Sequence, residues 1–199
     1  YADLIYQEYP INDIVRSPKT THRAVLKNGR YYLKDNFMIF WFRFIYAHYN
    51  EFSNKTLSVD VIKQGYNQYL GYIFEKSIRQ LMFELYKIDN IGRWWGKING
   101  VEREIDILAF NNDNSDAIIG ECKWSKNINP KSIMNSLIEV EPHIKYQKMK
   151  INRNYSYVIF AKSFTRKITE FPNLNGEIRK VTCYNIKDLS KIMKTLIEK

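Results

Sequence analysis

The sequence predicts an α/β domain of the mixed α+β type, and three observations carry that expectation. Two short apolar segments, Glu104-Ile105-Asp106-Ile107-Leu108 and Gly120-Glu121-Cys122-Lys123-Trp124, flank a polar cluster at 111–116, the pattern of a β-hairpin. Phe74, Ile78, Leu81, Met82 and Leu85 recur at helical spacing between Gly71 and Lys87. Residues 178–184 form a strand-like run that carries Cys183.

In the hairpin, a symmetric register that pairs Phe110 with Ala117 sets Asp106 opposite Glu121 with both side chains on one face. Like charges at that separation repel and drive one pKa upward unless a cation lies between them. A hard divalent cation such as Mg²⁺ or Mn²⁺ removes the conflict, because it takes oxygen ligands and can neutralise charge on a phosphate. Period-two alternation puts Lys123 on the face of Glu121 and turns Cys122 into apolar packing. Lys123 can then orient a water or steady transition-state charge. The same register also allows a plain cross-strand ion pair between Glu104 and Lys123, which needs no metal or substrate.

On the helix at 71–87, Glu75 follows the apolar position Phe74 and stands three residues before Ile78, at the edge of the apolar face. An acid there is commonly a solvated surface charge. The stretch 37–46 holds Arg43 and falls short of the ~20 apolar residues of a membrane span. It reads as a core or interface helix, with Phe40, Trp41 and Phe44 on one aromatic face that favours packing over base stacking.

The chain has 199 residues, 45% hydrophobic and 15% aromatic, enough for one substantial core or a domain with an appendage. A net charge of +10 favours an anionic partner, with nucleic acid first. Lys126, Lys131, Lys145, Lys148 and Lys150 cluster after the acid-lysine segment. The two cysteines, Cys122 and Cys183, form no Cys-x-x-Cys pair, so no zinc site is implied; as core thiols they suit a reducing, cytoplasmic setting. His22, His48 and His143 are scattered in sequence. No Gly-x-x-x-x-Gly-Lys-Ser/Thr pattern occurs, so this segment is not expected to hydrolyse nucleotides.

The order Gly71-x-x-x-Glu75, Asp106, Glu121-x-Lys123 resembles the PD-(D/E)XK nuclease superfamily of restriction enzymes and Holliday-junction resolvases. More narrowly, Tyr31-Tyr32-Leu33-Lys34-Asp35-Asn36-Phe37 running into Phe40-Trp41-Phe42-Arg43-Phe44, with the later Gly120–Trp124 segment, resembles the nuclease-like C-terminal domain behind a P-loop ATPase in archaeal proteins. The resemblance implies a restriction-endonuclease-like core: a central mixed sheet of α-β-β-β-α-β order flanked by helices. It maps to a helix near 59–87, strands near 91–97, 103–110 and 117–124, a helix near 131–150 and a strand at 155–162. An N-terminal helical segment precedes it.

By the same resemblance Asp106 and Glu121 would hold Mg²⁺ or Mn²⁺, helped by the Cys122 backbone carbonyl. Lys123 would position the attacking water, and Glu75 would be an auxiliary acid. Lys145, Gln147 and Lys148 on the later helix would reach the site by that resemblance, against the plain reading of solvated helix-surface groups, while Lys126 and Lys131 are expected to contact nucleic acid as part of the basic cluster. The implied activity is metal-dependent hydrolysis of DNA phosphodiesters, within one polypeptide with an ATPase and with pairing into a homodimer allowed. The alternatives are a catalytically inactive nuclease-fold module that docks DNA or regulates an ATPase, and a protein-interaction domain without salt-dependent DNA affinity. The start at Tyr1 and the breaker-rich Pro18-Lys19-Thr20-Thr21 suggest a fragment, with 1–28 a linker or winged-helix remnant, 29–58 an aromatic helical segment and 59–199 the nuclease-like domain.

Overall fold

The computed structural model describes residues 3–11, 29–111, 116–144 and 154–198. The expected elements at Pro18–Thr21, His22, the tip of the 111–116 turn, and Lys145, Gln147, Lys148 and Lys150 lie outside them. An N-terminal hairpin pairs β1 (Ile5–Glu8) with β2 (Arg30–Leu33) antiparallel, Glu8 against Arg30. Asp35 then caps α1 (Asn36–Phe40) by accepting the Met38 N–H. The chain continues through a π-helical turn at Trp41–Ile45, a 3₁₀ turn at Tyr46–His48 and α2 (Tyr49–Ser53). The long α3 (Val59–Leu85) starts at Ser58, whose hydroxyl accepts the Asp60 N–H, and buries Phe74, Ile78 and Met82 at four-residue spacing.

After it come β3 (Asn90–Ile98), β4 (Val101–Phe110), β5 (Asp116–Lys123), α4 (Pro130–Val140), β6 (Asn154–Ala161), β7 (Glu170–Pro172), β8 (Ile178–Asn185) and α5 (Ile186–Ile197). The α-β-β-β-α-β order is therefore present, as α3-β3-β4-β5-α4-β6. Among the described residues the main sheet has six strands in the order β3-β4-β5-β6-β8-β7. It is mixed: β3-β4-β5 is antiparallel, while β5-β6 and β6-β8 are parallel. The parallel steps need crossovers, and α4 supplies the first.

Two apolar clusters sandwich the sheet. Ile133, Met134, Leu137 and Ile138 of α4 meet Phe110, Ile119, Tyr157 and Ile159. Phe74, Ile78 and Met82 of α3, with Leu189 of α5, meet Ile107, Ile118, Val158 and Phe160. The helix α5 is strongly two-faced and opens with a reciprocal capping box between Asn185 and Asp188. The aromatic segment leans on α3, where the rings of Phe40 and Phe44 both meet Tyr69, and Phe44 and Ile45 are buried. The backbone stays helical from Asn36 through Tyr46, passing from α- to π- to 3₁₀-type bonding, and Phe37, Phe42 and Tyr46 remain exposed.

Register carries the fold into the site. Phe110 pairs with Ala117 and Ile107 with Gly120, as a symmetric hairpin requires. On the other side of β4, Gly92 pairs with Leu108 but Trp94 with Ile105, so Asp106 and Ile107 together face Arg93. This is a β-bulge, which breaks strict alternation: Ile105 and Ile107, two residues apart, enter opposite clusters.

Candidate active site

The acid-lysine cluster forms where this bulge meets the end of β5. Ladder pairing between β4 and β5 stops at Ile107 and Gly120, and the next contact comes from a side chain, with Asp106 Oδ2 accepting the Cys122 N–H at 2.9 Å. On β5, Glu121 and Lys123 lie two residues apart and form an ion pair through Glu121 Oε1 and Lys123 Nζ. The shared face expected for these two residues is therefore present. Lys123 keeps 45% of its side chain exposed, so its remaining donors can face a ligand.

Glu75 approaches from α3. It pairs with Arg79, whose Nη1 also donates to the Asp106 carbonyl at 3.4 Å, and it lies 3.7 Å from Arg93 Nη1. Arg93 is buried over the Tyr32 ring, and its fork is taken by Glu8 through Nε at 3.1 Å and through Nη2. A chain of charges thus runs from the N-terminal hairpin through Arg93, Glu75 and Arg79 to the backbone of Asp106. Arg79 stands four residues after Glu75 on α3, a spacing readable in the sequence, whereas Arg93 finds Glu8 only across a long separation.

Burial drives the Asp106 carboxyl well above the ordinary carboxylate range, and the nearby charges of Glu121 and Glu75 push it further; the Cys122 N–H and Lys123 only partly oppose them. Burial raises Glu121 in the same direction, against the pull of Lys123. For Lys123, burial favours the neutral form, but the Glu121 carboxylate outweighs it and holds the ammonium charged. Burial likewise raises the Cys122 thiol, which packs in the α3-side cluster as an inert core group.

The expected pair of Glu104 with Lys123 does not form. Glu104 reaches Arg30 at 2.8 Å and Arg93 at 3.4 Å, because the bulge ends the shared register and β2 and β3 each bring a guanidinium group to it. Lys126 and Lys131 are exposed just past the cluster. Among the described residues no three His, Cys, Asp or Glu side chains gather closely enough to hold a metal ion. The close acids are Asp106 and Glu121, and Glu75 is engaged by arginine. Their chemistry suits a hard cation, because each carboxylate is raised by desolvation and by an acidic neighbour.

Residues 41–135 match the model of DUF234, a family described as "Archaea bacterial proteins of unknown function". The chain is also 35% identical over 130 residues to an uncharacterized protein of Methanocaldococcus jannaschii, an alignment covering 62% of this chain and 27% of that relative. The chain thus spans about a quarter of the length of the curated relative it matches. No helix among the described residues is long and apolar enough to cross a membrane.

Proposed function

We propose that this is a PD-(D/E)XK-type nuclease domain that hydrolyses DNA phosphodiester bonds with Mg²⁺ or Mn²⁺, within a longer polypeptide that also carries an ATPase. The observation that carries the reading is the Asp106–Glu121–Lys123 cluster, in which two desolvated carboxylates and a partly exposed ammonium meet at the opening between β4 and β5. Asp106 and Glu121 would hold the cation, which supplies charge neutralisation at the phosphate.

The chain's own residues set up the rest. The Cys122 N–H fixes one oxygen of Asp106, which orients the other. Glu121 holds the Lys123 ammonium charged beside the opening, where it can donate to a phosphate oxygen or position the attacking water. In the reaction water adds to phosphorus, one P–O ester bond breaks, and the departing oxygen takes a proton. The extent of the M. jannaschii relative beyond the aligned stretch leaves room there for further units such as an ATPase.

A second reading, a nuclease-fold module that binds DNA or regulates an ATPase without cutting, draws on one observation. Glu121 and Glu75 already have cationic partners in Lys123, Arg79 and Arg93, so much of the charge is balanced within the chain. Incubation of plasmid and branched DNA with Mg²⁺ or Mn²⁺ separates the two. Cutting by the wild type that is lost in Asp106→Ala supports the enzyme; intact DNA that is nonetheless bound supports the module.

A further inference from the structure

We propose that the two connections leaving the C-terminal ends of β5 and β6 form a track for the phosphate backbone of duplex DNA, with Lys126, Lys131 and Arg166 as its charge contacts. The choice of DNA rests on the nuclease reading; the track itself rests on how these connections are built. Lys123 and Ala161 are the last partners of the parallel β5-β6 pair, and the chains then continue side by side. Lys162 donates its N–H to the Ser125 carbonyl at 3.0 Å, Ile128 donates to Ser163 at 3.0 Å, and Thr165 donates to Ile128 at 3.0 Å. Asn127 adds its N–H to the Ser163 hydroxyl at 2.9 Å. Residues 125–128 and 162–165 are thereby fixed relative to each other, just past the end of the ladder at Lys123.

Positive charge gathers on this locked pair of connections and just beyond it, Lys131 in the first turn of α4 and Arg166 directly after Thr165. Lys126, Lys131 and Arg166 are exposed and have no ion pair among the described residues. Lys162 rests its ammonium 4.2 Å from the Trp124 ring centre. Lys131 and Arg166 lie on the walls of one open cleft of about 370 Å³, with Glu170 as an acidic lining residue and Lys167 engaged by Asp188. The track begins beside Lys123 and ends in this cleft, so a strand lying along it passes the site where a phosphodiester would react. A regularly spaced polyanion fits such a row of fixed charges, and its counterion release gives affinity that falls with salt.

The test is fluorescence anisotropy of a labelled duplex in EDTA across a salt series, so that binding is read without cleavage. The proteins are the wild type, the double variant Lys131→Glu/Arg166→Glu and, as a control, Lys194→Glu on the exposed far end of α5; retained circular dichroism confirms folding. The double variant is expected to bind at least tenfold more weakly near 100 mM salt and to lose about two from the slope of log affinity against log salt. The control is expected to change affinity less than threefold. Binding by the double variant equal to that of the control overturns the proposal, as does wild-type affinity for anionic phospholipid vesicles without affinity for DNA. A wild type that binds through these residues yet cuts nothing leaves the track standing and overturns the nuclease reading instead.

Discussion

Asp106 Oδ2 accepts the N–H of Cys122 at 2.9 Å, at the point where the ladder between β4 and β5 stops and a bulge sets Asp106 and Ile107 against Arg93. A carboxylate takes the place of a main-chain acceptor, and so the most perturbed acid in the cluster is also part of the sheet's hydrogen bonding. The proposed cation-binding role of Asp106 and the stability of the fold are therefore opposed at one residue.

That opposition has a pH signature. The Asp106 titration is raised on folding, so its protonated form favours the native state. The contribution is fully present below about pH 4, where an unfolded aspartate titrates, and is lost as pH rises through the higher folded-state titration. Asp106→Asn keeps an oxygen for the Cys122 N–H and removes the charge. In EDTA it is expected to melt with the wild type in acid and to exceed it by on the order of 2 kcal/mol at pH 8. Thermal melts across pH check this, and a difference that does not vary with pH contradicts it.

Arg93 is the buried joint between the N-terminal hairpin and the sheet, with only 6% of its side chain exposed. Removing it leaves Glu8 and Glu75 with partly uncompensated charge, so Arg93→Met is expected to cost about 3–5 kcal/mol. Glu8→Gln keeps one acceptor and is expected to cost about 1–2 kcal/mol. Urea unfolding of the two variants gives the comparison; equal, small losses would show that the hairpin is only loosely joined.

Two glycines are expected to behave oppositely. A Cβ on Gly120 would stand 2.9 Å from a Val158 methyl and 3.0 Å from the Val158 carbonyl oxygen, and the backbone cannot yield cheaply. Gly120→Ala is expected to destabilise by about 1–3 kcal/mol and, since Glu121 follows it, to impair cleavage. On Gly71, within α3, the nearest atom would be Trp124 Cβ at an ordinary 3.7 Å. Gly71→Ala is expected to stabilise by about 0.5–1 kcal/mol, through helix propensity. Denaturation midpoints settle both signs.

The hairpin was legible in the sequence because alternation and a polar turn leave one register that buries both apolar faces, and Phe110 opposite Ala117 follows from it. The helix bearing Glu75 was legible for the same reason, as Phe74, Ile78 and Met82 mark its inner face. The bulge was not, because nothing local to 104–108 announces that Asp106 and Ile107 share one partner. With it went the true neighbours of Glu104, which lie on β2 and β3. The final helix at Ile186–Ile197 lies beyond the α-β-β-β-α-β order that the resemblance implies, although its cap, Asn185 with Asp188, is a readable start signal. Arg166 became visible only when parallel pairing laid its loop beside the one after β5.

The most direct measurement is the rate of supercoiled-plasmid nicking in Mn²⁺ by the wild type beside Asp106→Ala and Lys123→Ala proteins purified in parallel. A metal-dependent nuclease site at Asp106 and Lys123 predicts measurable nicking that falls by about 10²-fold or more in each variant, as loss of a preorganised electrostatic group does. Nicking at the same rate by all three proteins would contradict it.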